Sequence, residues 1–177
     1  GRHGLELILG STANGILHVT DRDVLTLRVD KDNKRLVQGE YKNIVIATDL
    51  EADNQCVFKR AKKMASECKA TLHAVNVIPN TTATAIAYYP NVEMDLRQDA
   101  ENKLLELGKK HGIATERCHA IIGLPKQAIE DTASDVNAEL IVIGSHGQSE
   151  LEAAFLGATA NAVLHTTARD VLVVRIK

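Results

Sequence analysis

The 177-residue sequence predicts an α/β fold, an open sheet of five parallel strands doubly wound with helices on both faces. Three observations predict it. Strand-length apolar segments alternate with helix-period segments from residue 43 to the end, in the order β-α-β-α-β-α-β-α-β. The runs Ile44-Val45-Ile46-Ala47 and Leu140-Ile141-Val142-Ile143-Gly144 are continuously apolar, as strands buried on both sides are. Right-handed strand-helix-strand crossovers then make neighbouring strands parallel.

Taken in order, 43–48 (NIVIAT) is a β-branched strand closed by Asp49. Residues 54–70 set Val57, Phe58, Ala61, Met64, Ala65 and Cys68 at helical spacing. Residues 71–78 (TLHAVNVI) form the second strand, ended by Pro79-Asn80, and 80–91 has no period and reads as a loop. The segment 92–112 is a helix striped by Leu96, Ala100, Leu104, Leu105 and Leu107, with Gly112 as its stop. Residues 115–122 are the third strand. Gly123-Leu124-Pro125 turns into a helix over 125–137, with proline in its first turn. Residues 139–144 are the fourth strand, 158–167 the last helix and 170–176 the fifth strand.

Residues 1–30 repeat residues 148–177 at a constant offset of 147, without a gap. Thirteen of the thirty positions are identical, among them Leu9/Leu156, Gly10/Gly157, Asn14/Asn161, His18/His165, Asp23/Asp170 and Arg28/Arg175. The period suits a whole domain rather than a solenoid unit. The chain therefore divides into the C-terminal helix and strand of a first repeat (1–30), a charged linker (31–40) and a complete second repeat (41–177). It reads as a piece of a tandem two-domain protein, or alternatively as a protein whose first copy has decayed. Val24, Leu25, Leu27 and Val29 make 23–30 too apolar for a free tail. We expect it to pair beside 170–176, or else to displace that strand in a swapped dimer.

The totals exclude several classes. A net charge of −2 and 45% apolar residues describe an ordinary globular balance, with no basic stripe for nucleic acid. No apolar run approaches membrane-spanning length. Aromatic residues make up 3%, too few for stacking single strands. The odd set Cys56, Cys68 and Cys118 has no CxxC pair, and points to reduced thiols and a cytoplasmic setting.

Ligands of doubly wound sheets bind beyond the carboxyl ends of the strands, at the switch point. Here that places Asp49 after the first strand beside the segment that begins at Gly144 after the fourth. From Gly144 the spacing is glycine, two residues, Gly147, nine residues, Gly157, and the last glycine opens a helix. Glycines allow close backbone approach, and a helix start offers unpaired N–H groups to an anion such as phosphate. The alternative is that these glycines serve only a tight strand-to-helix turn. Neither a Walker loop nor a dinucleotide fingerprint is present.

That segment, with Tyr41-to-Asp49 (YKNIVIATD) at one end and DVLVVRI at the other, resembles the universal stress protein family over the whole of 41–177. The resemblance implies a Rossmann-like sheet of the adenine-nucleotide alpha hydrolase type, strand order 3-2-1-4-5. It also implies a site for ATP or a related adenine nucleotide, with Mg²⁺ as a possible companion. Carried over position by position, Ala47, Thr48 and Asp49 would border the adenosine, and Val77 would meet the adenine. Ile143, Gly144 and Gly147 would line the ribose and phosphate path, and Gly157, Ala158 and Thr159 would hold the phosphates. The chain departs from the family pattern at Ala158, where a hydroxyl residue is the rule; the first repeat keeps it as Ser11. Alanine loses one neutral hydrogen bond, about 1 kcal/mol, so phosphate binding should weaken without vanishing.

Other candidates have plainer readings. His146 sits between two glycines, either near a phosphate or Mg²⁺ or as an exposed loop residue. Ser149 and Glu152 form a capping box. Cys118 and His119, adjacent on a strand, face opposite ways and form no catalytic pair. Lys59, Arg60, Lys62 and Lys63 suit a solvated helix face, and no cluster has metal-ligand spacing. With no general base, lysine clamp or arginine finger apparent, any ATP hydrolysis would be slow. The resemblance thus implies a cytoplasmic stress-response regulator that binds adenine nucleotide and acts through dimerisation, by the last strand or a pseudo-dimer with 23–30, or through an unidentified protein partner. The alternative is a nucleotide-free dimerising scaffold.

Overall fold

The computed structural model describes residues 11–30, 32–37, 39–51, 54–79, 92–145 and 156–176. Its elements are α1 (Ser11–Val19), β1 (Val24–Thr26), β2 (Asn43–Thr48), α2 (Gln55–Cys68), β3 (Thr71–Pro79), α3 (Val92–His111), β4 (Cys118–Gly123), α4 (Pro125–Asp135), β5 (Leu140–Gly144), α5 (Ala158–Thr166) and β6 (Asp170–Val174). One sheet runs β1-β6-β5-β2-β3-β4. The five strands between residues 43 and 174 are parallel and follow the expected 3-2-1-4-5 order. The sixth strand, β1, joins antiparallel to β6.

Helix α2 packs through the residues its periodicity marked. Val57, Phe58, Ala61 and Ala65 are the buried face of α2. They build one core layer with Ile44, Ile46, Leu140, Val142 and Leu104 of α3. The opposite sheet face, carrying Val45, Val75, Ile141 and Val171, is covered by Ile129 of α4, Val163 and Leu164 of α5 and Leu17 of α1. Two apolar layers on one sheet are what make β2 and β5 apolar at consecutive positions. Helix ends obey local chemistry. Pro125 starts α4, and Gly112 takes a left-handed φ of 77° after α3, where Ile113 N–H bonds the Gly108 carbonyl at 2.8 Å.

Several boundaries move. The third strand begins at Cys118 because Thr115–Arg117 coils into a 3-10 turn. The helices are one to a few residues shorter than their periodicity suggested, and the last strand ends at Val174. The strand expected over 23–30 contracts to Val24–Thr26, since Val29 turns away to bridge Arg35. The segment expected to be only a linker contributes to the core. Leu36 N–H bonds the Arg28 carbonyl at 2.7 Å, Val37 is buried, and Arg35 and Tyr41 both reach the Asp170 carboxylate.

The β1–β6 junction has a local two-fold symmetry. Val24 pairs with Val173, Leu25 with Leu172 and Thr26 with Val171, so the repeat-equivalent leucines sit at the centre. The symmetry extends to side chains. Arg28 N–H bonds Asp170 Oδ1 at 2.7 Å, and its repeat twin Arg175 N–H bonds Asp23 Oδ1 at 2.9 Å. The Arg28 guanidinium donates to the Leu164 carbonyl, and the Arg175 guanidinium to the Leu17 carbonyl. Such reciprocity defines an isologous interface, here made within one chain. Pairing with the tail occupies the edge of β6 that faces away from β5.

Candidate functional site

A cavity of about 540 Å³ opens at the carboxyl ends of β2, β3 and β5, where the strand order reverses. Its walls gather Ala47, Thr48, Asp49, Val77, Ile143, Gly144, Gly157, Ala158 and Thr159, nine of the eleven residues singled out from the sequence. The other two, His146 and Gly147, lie outside the described residues, as do the capping box at Ser149 and Glu152, Gly10 and the loop 80–91.

The mouth of β2 is built by side chains that satisfy backbone groups. Thr48 Oγ1 accepts the N–H of Leu50 at 3.1 Å, which lets the chain take a left-handed φ of 67° at Leu50. Asp49 Oδ1 accepts the Glu51 N–H at 3.1 Å and the side-chain amide of Asn54. Asp49 therefore does brace the turn into α2 while also lining the cavity. From the neighbouring strand, buried Asn76 donates Nδ2–H to the Thr48 carbonyl at 2.9 Å. This bond fixes the end of β2 against β3.

Across the cavity stands the start of α5. The Gly157 N–H is spent on the Ser145 carbonyl at 2.6 Å, which ties the helix start to the end of β5. The first intrahelical bond runs from Asn161 N–H to the Gly157 carbonyl. The N–H groups of Ala158, Thr159 and Ala160 precede that bond, and no side-chain cap is made at Gly157 among the described residues. All three residues line the cavity, giving it a positive dipole end.

Between these poles the wall is apolar, made by Val75, Val77, Ile78, Ile129 and Ile143. Helix α3 adds Leu96, Asp99, Ala100 and Lys103. Lys103 Nζ lies 2.8 Å from Asp99 Oδ2, and that hydrogen bond holds its ammonium above the ordinary lysine range. Asn54, Asn76, Asp99 and Lys103 were missed in the sequence. The signal for Asn76 was legible, since asparagine inside the strand Val75-Asn76-Val77 has to find a partner. Leu96 was assigned to the apolar stripe of its helix; it remains 41% exposed and contributes to the cavity wall.

The set-aside residues fall as follows. His119 stacks on His73 of the adjacent strand with centroids 5.9 Å apart, on the face opposite Cys118. Burial lowers both imidazole pKa values; His119 and then Arg117 lower that of His73 further, while Asp135 partly raises that of His119. Arg60 is not merely solvated: its Nε lies 2.5 Å from Asp23 Oδ2. Among the described residues no group of histidines, cysteines and carboxylates could hold a metal, and no helix is long and apolar enough to cross a membrane.

Comparison with known proteins places the fold and the cavity in context. Residues 40–175 match the model of the universal stress protein family. The chain is 35% identical over 142 residues to universal stress protein A homolog 1 of Coxiella burnetii, covering 77% of this chain and 98% of that one. Among solved structures it superposes with a TM-score of 0.73 on a functionally unknown protein of Pseudomonas aeruginosa PAO1, at 23% identity. That match covers 98% of this chain, which spans 59% of the Pseudomonas chain. A universal stress protein in complex with cAMP superposes with a TM-score of 0.53 at 23% identity, over 78% of this chain and all of the other. The chain belongs to the universal stress protein family.

Proposed function

We propose that this member of the universal stress protein family binds an adenine nucleotide, ATP or a close relative, in the cavity at the strand ends. Bound, it would act as a cytoplasmic stress-response regulator through a partner or through self-association. The observation that carries the reading is the pairing of two unlike poles across one cavity. An apolar wall suits a purine base, and the uncapped start of α5 suits phosphate. The carboxylate of Asp49 between them is an acceptor of the kind that ribose hydroxyls need. A family neighbour complexed with cAMP is consistent with adenine in such a cavity.

The residues present fit the ligand with a modest phosphate grip. Backbone N–H groups supply the donors, while Ala158 offers no hydroxyl and Gly157 N–H is already engaged. Asp49, Glu51 and Asp99 line the same cavity and oppose anionic charge, a balance that Mg²⁺ at the phosphates would relieve. Among the described residues the one lysine of the wall, Lys103, is paired with Asp99, so any hydrolysis would be slow.

The test is to denature the purified chain, analyse the filtrate for adenine nucleotide by mass spectrometry, and titrate ATP and cAMP calorimetrically. An Ala158→Ser variant runs beside it. Restoring one hydrogen bond should tighten ATP binding about five-fold, equivalent to about 1 kcal/mol. Nucleotide in neither protein, with no heat on titration, would leave the nucleotide-free scaffold as the function.

A further inference from the structure

Helices α2 and α3 pack into one core layer, and their seam gathers cations. Phe58 of α2 is fully buried and stacks on His111, the last residue of α3, with ring centroids 4.8 Å apart. The imidazole is 8% exposed, and its Nε2 has no hydrogen-bond partner among the described residues. Burial lowers its pKa, and the neighbouring ammonium groups of Lys110, Lys62 and Lys59 lower it further. All three lysines are exposed, as is Lys109 beside Lys110.

Other cations of α2 are neutralised, and these are not. Arg60 meets Asp23, and Lys63 meets Glu67 at 4.0 Å. Lys59, Lys62, Lys109 and Lys110 make no ion pair among the described residues. Glu106 stands one turn before Lys110, the spacing of a helical ion pair. Lys110 Nζ nevertheless donates to the neutral Gln55 Oε1 at 3.0 Å, which carries the ammonium of α3 across the seam toward α2. Lys59 and Lys62 are three residues apart on one helix, a spacing at which like charges repel. In a chain of net charge −2 this concentration of unpaired cations is a local exception, and an anionic partner relieves the repulsion.

The setting selects the class of anion. Phe58 is enclosed, so the seam offers no exposed ring of its own for a nucleic-acid base to stack on. No large apolar side chain of α2 is exposed, so the face has nothing to insert into a lipid surface. Lysine ammoniums are point charges on flexible stems, which suit carboxylates of varied spacing better than one bidentate anion.

We propose that the seam of α2 and α3, at Lys59, Lys62, Lys109 and Lys110, is the docking surface for an acidic peptide segment of a protein partner. None of these lysines lines the strand-end cavity, so the proposal stands apart from the nucleotide reading and its test needs no nucleotide.

The probe is octaglutamate, titrated into the intact chain while the His111 ring protons are followed by NMR across pH, their signals assigned by loss in His111→Gln. The peptide should bind at low salt, and about 0.3 M salt should weaken it roughly ten-fold as charges become screened. Bound carboxylates offset the lysines that hold His111 down, so its titration midpoint should rise by about half a pH unit. Lys59→Glu with Lys62→Glu should abolish both effects while moving the melting temperature by no more than about 2 °C, as exposed positions allow. Lys59→Gln with Lys62→Gln should give an intermediate loss. Lys34→Glu with Lys126→Glu makes the same change in net charge at exposed positions away from the seam, and should leave binding unaltered. Equal losses from the two charge reversals would overturn the proposal, because net charge alone would then draw the peptide. So would octaglutamate that fails to bind at low salt, or that binds without moving His111. Binding to phosphatidylserine vesicles through Lys59 and Lys62, with no competition from octaglutamate, would assign the surface to a membrane instead and overturn it as well.

Discussion

Asp170 and Asp23 are matching positions 147 residues apart, yet their substitution should cost very different amounts. The Asp170 side chain is fully buried. It accepts the Arg28 N–H at 2.7 Å, the Tyr41 hydroxyl at 2.8 Å and two guanidinium N–H groups of Arg35 at 2.7 and 3.2 Å. Replacing it with asparagine preserves volume and one acceptor, but removes the charge and turns an amide donor toward groups that are themselves donors. Hydrogen bonds to a charged group contribute about 1.5–3 kcal/mol each. Arg35 is 37% exposed and can recover water, which discounts its share. The Arg28 N–H and the Tyr41 hydroxyl have no such recourse. We therefore expect Asp170→Asn to cost about 3 kcal/mol, within the range for breaking a buried pair. In a domain of this size that lowers Tm by about 6–12 °C. Asp23 is 19% exposed, and its guanidinium partner Arg60 is 47% exposed. Asp23→Asn should cost about 1 kcal/mol. Urea unfolding of both variants measures the contrast, with an unchanged slope showing that stability alone has moved. Equal losses, or a loss below 1 kcal/mol for Asp170→Asn, would refute the argument that the linker's contacts set the difference.

Three further outcomes follow from the geometry. His73, His111 and His119 are all held below the ordinary histidine value of 6.5 by burial. The unfolded chain then binds more protons, so their contribution is complete above pH 6.5 and is lost as pH falls through the lower folded values; His73→Gln with His119→Gln should flatten that acid limb in unfolding curves. Gly112→Ala should cost about 1 kcal/mol through its φ of 77° alone, because no atom lies within 4 Å of the added methyl; Gly15→Ala, with equally open space on a helix and no positive φ, should instead be neutral or stabilising. Asn76→Ala leaves the Thr48 carbonyl without its partner and should cost about 2 kcal/mol of stability; if the cavity binds nucleotide, calorimetry should also show weaker ATP binding, which a residue important only for folding would not produce once stability is restored by cooling.

What the sequence determined is what short-range pattern encodes. Apolar continuity at 44–47 and 140–144 announced strands with helices on both sides, because a side chain's period reports how many of its faces are covered. Parallel strands then followed from crossover handedness, and the switch-point rule put Asp49 and Gly157 at one end of the sheet. Asp49, Gly144 and Gly157 were legible for that reason, and the other six cavity residues through the family resemblance. The repeat at offset 147 likewise led to the expectation that residues 23–30 pair beside 170–176, with displacement of that strand as the alternative. It did not say that Leu25 and Leu172 would lie on a two-fold axis, or that Arg28 and Arg175 would exchange equivalent bonds. Those contacts join residues more than a hundred positions apart, and nothing in either local stretch specifies them. The same holds for Arg60 against Asp23, for Tyr41 and Arg35 on Asp170, and for Lys103 in the cavity wall. A charged side chain on an exposed helix face looks alike in sequence whether it meets water or a distant carboxylate. Which of the two it meets depends on how helices and linker settle on the finished sheet, and only the tertiary structure fixes that.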